Sequence, residues 1–121
     1  MPNGKICYVE IPAVDVKRSA DFYVHVFGWS VRVRDDGSTA FDDTTGAVSG
    51  AWVVGRAPAK TPGAIIYVMV DSIEKTVAAI VAGGGSLETP QTSHGKGGGS
   101  HATFRDPPGN LFGLYEEPRR Q

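Results

Sequence analysis

One strand-helix-strand-strand-strand order occurs twice within 121 residues, and that repetition constrains this chain more than any other feature. Residues 5–11, KICYVEI, are an apolar run of strand length, with Pro12 expected to end it because proline cannot extend a central ladder. Asp15 then offers an N-cap, and Val16, Ala20, Tyr23, Val24 and Phe27 recur at helical spacing, with Lys17, Arg18 and Asp21 opposite and Gly28 as C-cap. Residues 29–34 alternate, RDDGS is a hairpin signal, residues 39–42 return, and VSGAWVV (48–54) supplies a fourth strand. GRAPAKTPG breaks the pattern as a linker. The order then restarts: AIIYVMV (64–70) is a strand, Ser72 caps a helix running through Ala82, GGG stops it, and SLETPQ, SHATFRD and LFGLYEE give three more strands. Pairing Asp15-Val16 with Ser72-Ile73 sets Tyr8 opposite Ile65 and Glu10 opposite Tyr67. The expected fold class is α+β, with a mixed sheet covered by helices on one face.

Length allows a single domain, residues 1–121, with modules at about 1–57 and 58–121. A formal charge of −1 without a basic run argues against a nucleic-acid partner. No stretch approaches the roughly 18 apolar residues of a membrane span, and the start of the chain lacks the basic-then-apolar order of a leader, so a cytoplasmic protein is expected. Cys7 is the only cysteine, which excludes an internal disulfide and a cysteine-based zinc cluster, and its apolar strand predicts a buried thiol.

Two motifs carry a family resemblance. The pattern D-x-x-R-S-x-x-F-Y-x-x-x-F-G-W at residues 15–29 and the turn D-P-x-G-N at residues 106–110, set in this element order, resemble the vicinal oxygen chelate superfamily of glyoxalase I, bleomycin resistance proteins and extradiol dioxygenases. The resemblance spans essentially the whole chain. It implies two βαβββ modules forming an incomplete mixed β-barrel around a cavity, helices outside, often as a homodimer. Metal-dependent members carry a ligand on the first and last strand of each module. Aligned here, those positions fall on Tyr8, Ile65, Gly113 and a fourth strand, GAWVV, without His, Asp or Glu. No divalent metal or other cofactor is therefore expected, since these residues lack the oxygen and nitrogen donors a divalent ion requires.

Strand alternation aims Glu10 the same way as Tyr8, toward the expected cavity, while Val9 and Ile11 face the helices. Glu10 is thus open to three roles: ligand contact, proton transfer, or structural support through a hydrogen bond or ion pair. Tyr67 shares a face with Ile65 and Met69 and offers a phenol to a ligand or a half-buried core ring. Trp52 is a stacking wall for a flat ligand or an anchor for a second copy. Of the histidines, His25 reads as surface, His94 begins the run HGKGGGSH, and His101 is best placed to reach the cavity. That glycine run lacks the order of a phosphate loop and precedes a strand, so it reads as a flap over the cavity, with Lys96 available to an anion, or as a loose hairpin tip.

The expected function is a protein that binds a small aromatic or apolar molecule through Tyr8, Glu10, Trp52, Tyr67 and His101 without the family metal. The alternative is a metal-independent lyase or isomerase with Glu10 and His101 as catalytic residues. A metal-dependent glyoxalase or dioxygenase is disfavoured by Tyr8, Ile65 and Gly113.

Overall fold

Each half of the chain folds in the order strand, helix, three strands. The computed structural model describes residues 3–61, 63–95 and 97–118, and the chain divides into two compact units, Met1–Pro58 and Ala59–Gln121. The first holds β1 (Tyr8–Pro12), α1 (Val16–Phe27), β2 (Ser30–Val33), β3 (Thr39–Asp42) and β4 (Ser49–Val53). Its sheet has the order β1-β4-β3-β2, with β1 parallel to β4 and the other pairs antiparallel. The second holds β5 (Tyr67–Met69), α2 (Ile73–Ala82), β6 (Ser86–Ser93), β7 (Ser100–Arg105) and β8 (Leu111–Glu116), in the order β5-β8-β7-β6. The fold is α+β, built from two βαβββ modules whose parallel pairs, β1 with β4 and β5 with β8, recur at the same place.

Local chemistry accounts for both helices. The Asp15 side chain accepts from the Arg18 amide at 3.2 Å, and Gly28 ends α1 at φ 72°, a conformation that favours glycine. The Ser72 hydroxyl accepts from the Lys75 amide at the start of α2. The buried stripe of α1 is Ser19, Ala20, Phe22 and Tyr23, so Val24, expected inside, is exposed and Phe22 takes its place. That side chain points one step around the helix from the face set by Ala20 and Tyr23.

The helix side of the first sheet is filled by aromatic rings. Trp29 stacks between Tyr23 and Phe41, with centroids 4.8 and 4.6 Å away, and Trp52 leans on Phe41 at 4.9 Å. Gly50 makes the fit possible, because a Cβ there would stand 2.6 Å from the Phe41 ring and 1.9 Å from the Val9 carbonyl oxygen. In the second unit Ile73, Ile80, Phe104, Phe112 and Leu114 form the core, and Glu116, on the same face, accepts from the Ile73 amide at 2.8 Å to seat the first turn of α2.

Three expectations at the strands change. Pro12 lies inside β1, paired with Val53, because β1 is an edge strand and the amide that proline lacks is not needed on its outer side. Cys7 precedes β1 and is exposed, so the buried-thiol reading is wrong. β6 runs on to Ser93, two residues past the expected SLETPQ, and its edge position with a register shift between Thr89 and Thr92 accommodates Pro90.

The D-P-x-G-N turn is structural. Asp106 Oδ1 accepts from the Gly109 and Asn110 amides at 3.2 and 2.7 Å, and Asn110 Oδ1 accepts from the Ala59 amide at 2.7 Å, clipping the start of this unit to the entry of β8. Asn110 is 1% exposed and also donates from Nδ2 to Asp106 at 2.9 Å. Asn110→Ala removes both side-chain bonds from a buried site and is expected to cost about 2–4 kcal/mol of folding stability in urea denaturation.

Candidate functional site

Strand alternation sends the aromatic block to the helix side and leaves the opposite face of the first sheet to polar groups. Tyr8 and Glu10 project there, 42% exposed for Tyr8 and 44% for the Glu10 side chain. Arg56 donates to Glu10 Oε1 at 2.8 Å, and Arg34 donates to the Tyr8 hydroxyl at 2.7 Å with its guanidinium 5.4 Å from the ring centroid. Arg32 pairs with Asp42 on this face as well. The floor beneath is Ala51, opposite Glu10, and Ala40, opposite both Ala51 and Arg32. This face therefore offers a phenol, two carboxylates and three guanidinium groups above small side chains. Glu10 stands there as one half of an ion pair with Arg56.

Trp52 does not belong to that face. It lies opposite Ile11 in the parallel pair, is 3% exposed and packs on Phe41 and Tyr23. The expected stacking wall or anchor for a second copy is a core residue, because β4 turns positions 50 and 52 toward α1 and positions 49, 51 and 53 away. Its Nε1 is the single buried side-chain nitrogen or oxygen among the described residues that lacks a hydrogen-bond partner.

In the second unit the open face carries Tyr67, Met69, His101, Thr103 and Tyr115. Tyr67 lies directly opposite Gly113, and its ring covers the glycine so closely that a Cβ at 113 would stand 2.4 Å from two ring carbons. The edge of the Tyr67 ring faces His101, with centroids 6.4 Å apart. Thr103 and Thr89 share a hydroxyl hydrogen bond of 2.6 Å beside them. His101 meets His94 across the β6–β7 hairpin, with Nδ1 and Nε2 2.6 Å apart and the rings stacked at 4.4 Å. His25 is exposed on α1, apart from these groups. The glycine run forms a closed turn, with the His94 amide donating to the Gly99 carbonyl and that of Gly98 to Gly95. Lys96 lies outside the described residues.

The residues at the family metal positions do not fit a divalent ion. Tyr8 is held by Arg34, Ile65 has no donor atom, the place a side chain at 113 would need is filled by the Tyr67 ring, and β4 carries no His, Asp or Glu. Among the described residues no three His, Cys, Asp or Glu side chains converge, and no helix is long and apolar enough to cross a membrane.

Sequence reasoning did not find Arg34 and Arg56, which meet Tyr8 and Glu10 from 26 and 46 positions away. Arg34 carried a usable signal, since it continues the alternation that sets Arg32 on the open face. The His94–His101 contact also carried one: two histidines bracketing a glycine-rich hairpin are brought together when the hairpin closes.

A two-module fold with these open faces defines a class of protein, and comparison places the chain within it. The sequence model of the glyoxalase/bleomycin resistance protein/dioxygenase superfamily matches residues 5–114, and the chain belongs to that superfamily. A glyoxylase-like domain-containing protein of Didymella fabae is 30% identical over 96% of each chain. Among solved structures, a glyoxalase/bleomycin resistance protein/dioxygenase family enzyme from Burkholderia phytofirmans PsJN superimposes with a TM-score of 0.78 at 20% identity, over 95% of this chain and all of that one. TnmS3, an antibiotic binding protein from Streptomyces sp. CB03234, superimposes with a TM-score of 0.70 at 22% identity, over 98% of this chain and 99% of the other.

The closeness of Tyr67 to Gly113 yields a direct test. Gly113→Ala forces the phenol off the sheet and is expected to lower stability by about 1–3 kcal/mol. Adding Tyr67→Ala to Gly113→Ala should restore most of that loss in a double-mutant cycle measured by denaturation, whereas additive losses would mean that the ring is not what occupies the space.

Proposed function

We propose that the chain binds a small aromatic or apolar molecule on the open face of its first sheet, with Tyr8 and Glu10 as ligand contacts and without the family metal. The observation that carries this reading is the division of the sheet: the helix side is filled by Tyr23, Trp29, Phe41 and Trp52, while Tyr8 and Glu10 stand half-exposed on the other side above alanines. A phenol and an ion-paired carboxylate at fixed positions around small side chains suit a flat ligand with one polar edge. The Arg34 guanidinium beside the Tyr8 phenol adds a preference for an acidic or phenolic group. The second sheet offers Tyr67 and His101 on its own open face as further ligand contacts. Likeness in fold to a protein described as antibiotic-binding supports a binder rather than requiring a catalyst. Binding alone needs only affinity, so the residues at the family metal positions do not impair it.

A panel of aromatic acids, phenols and apolar polycyclic compounds, screened by calorimetry and by turnover on the same samples, tests this. Tyr8→Ala and Glu10→Gln should each weaken the best binder five- to thirty-fold, about 1–2 kcal/mol, with the fold intact by circular dichroism. Unchanged affinity in both variants would overturn the reading. Turnover by the unmodified chain that Glu10→Gln abolishes while still binding would replace it with the lyase or isomerase reading, in which Glu10 moves a proton.

A further inference from the structure

We propose that His94 and His101 form a chelating site for a borderline divalent transition-metal ion, with Cu2+ preferred over Ni2+ and Zn2+, at a place unrelated to Tyr8, Ile65 and Gly113. The inference shares His101 with the further contacts proposed above but does not rest on them, since it is argued from the β6–β7 hairpin of the second unit and does not involve Tyr8 or Glu10.

The hairpin is built to bring the two rings together. His101 lies on β7 opposite Thr92 of β6, and His94 stands one residue beyond β6, tied back by its amide to the Gly99 carbonyl at 2.8 Å. Gly95 donates to the Ser93 hydroxyl at 3.1 Å, starting the turn. Two of the glycines are needed for space. A Cβ on Gly98 would stand 2.6 Å from the Cβ of His94, and one on Gly99 would stand 2.5 Å from the Glu116 carbonyl oxygen and 2.8 Å from the Tyr115 hydroxyl. The run that resembles a loose tip in the sequence therefore packs against β8 and holds His94 over His101. The Tyr67 ring edge flanks His101 from β5.

The geometry brings two imidazole nitrogens together, and their chemistry selects the ion. His94 Nε2 and His101 Nδ1 are 2.6 Å apart, so one proton at most lies between them and at least one nitrogen presents a lone pair. A metal ion replacing that proton takes a lone pair from each ring and releases the proton to solvent. With metal–nitrogen bonds of about 2.0 Å, two adjacent ligands at right angles require nitrogens about 2.9 Å apart, and a tetrahedral pair requires about 3.3 Å. Either arrangement needs the rings to part by a few tenths of an ångström from their hydrogen-bonded spacing, and the preference for Cu2+ follows from its place at the top of the affinity order of divalent first-row ions for nitrogen ligands. No third His, Cys, Asp or Glu joins the pair among the described residues, so water or a bound compound supplies the other positions.

Calorimetric titration of the full chain with Cu2+, Ni2+ and Zn2+ in turn, with electron paramagnetic resonance of the copper form, decides this. One equivalent of Cu2+ should bind at micromolar or lower concentration, tighter than Ni2+ and Zn2+, with a spectrum showing two imidazole nitrogens. His94→Gln and His101→Gln should each reduce Cu2+ affinity at least tenfold, while His25→Gln leaves it unchanged. The proposal is overturned if the unmodified chain takes up no copper in that range, or if either pair variant loses less than tenfold. His94→Gln, exposed in the turn, carries the decision should His101→Gln fail to fold.

Discussion

The stack of Tyr23, Trp29 and Phe41, with Trp52 against it, is the contact on which the first unit depends. It joins the last turns of α1 to β3 and β4, and it consumes the whole helix side of the sheet. Because side chains alternate along a strand, filling one side with rings leaves Tyr8 and Glu10 no place except the other. A shift of β1 by one residue would bury Glu10 under α1 and expose Ile11, which is 1% accessible. The cost of an unpaired buried carboxylate beside the loss of that aliphatic contact fixes the register. The exposure of Tyr8 and Glu10 on the open face is thus a consequence of core packing.

The second unit reaches a comparable arrangement with different means. Its core mixes Ile73, Ile80 and Leu114 with Phe104 and Phe112, and polar groups set its geometry: Glu116 seats α2, and Asp106 with Asn110 clips the entry of β8. Gly113 has a double effect. It removes the side chain that a metal-binding relative would use, and it lets the Tyr67 phenol lie on the sheet next to His101. Both effects come from a single missing Cβ. In the first unit the equivalent exchange is Tyr8, whose hydroxyl is engaged by Arg34.

Most of the fold was legible because it rests on local signals. Asp15 and Ser72 are caps, Gly28 is a stop, and both act within one turn of helix. What could not be read depends on contacts between distant residues. Trp52 on an apolar strand looks alike whether it faces a ligand or a core, and its neighbours Gly50 and Ala51 do not decide between them; Phe41, across β3, does. Glu10 was legible as a carboxylate on the open side, but its partner Arg56 lies in an irregular stretch that no periodicity describes. Cys7 was misplaced because the apolar run continues past the start of the paired strand. The histidine pair was hidden by its glycines, which suggest freedom in the sequence and serve close packing in the fold.

The central claim is that the open sheet faces, and not the aromatic side, receive a ligand. Backbone and side-chain NMR shifts recorded while an aromatic acid is titrated into the isotope-labelled chain address it directly. The account predicts saturable shifts at Tyr8, Glu10, Ala51 and Arg34, with the indole signals of Trp29 and Trp52 unmoved. Shifts centred on those indoles, or on exposed positions of α1 such as His25, would contradict it.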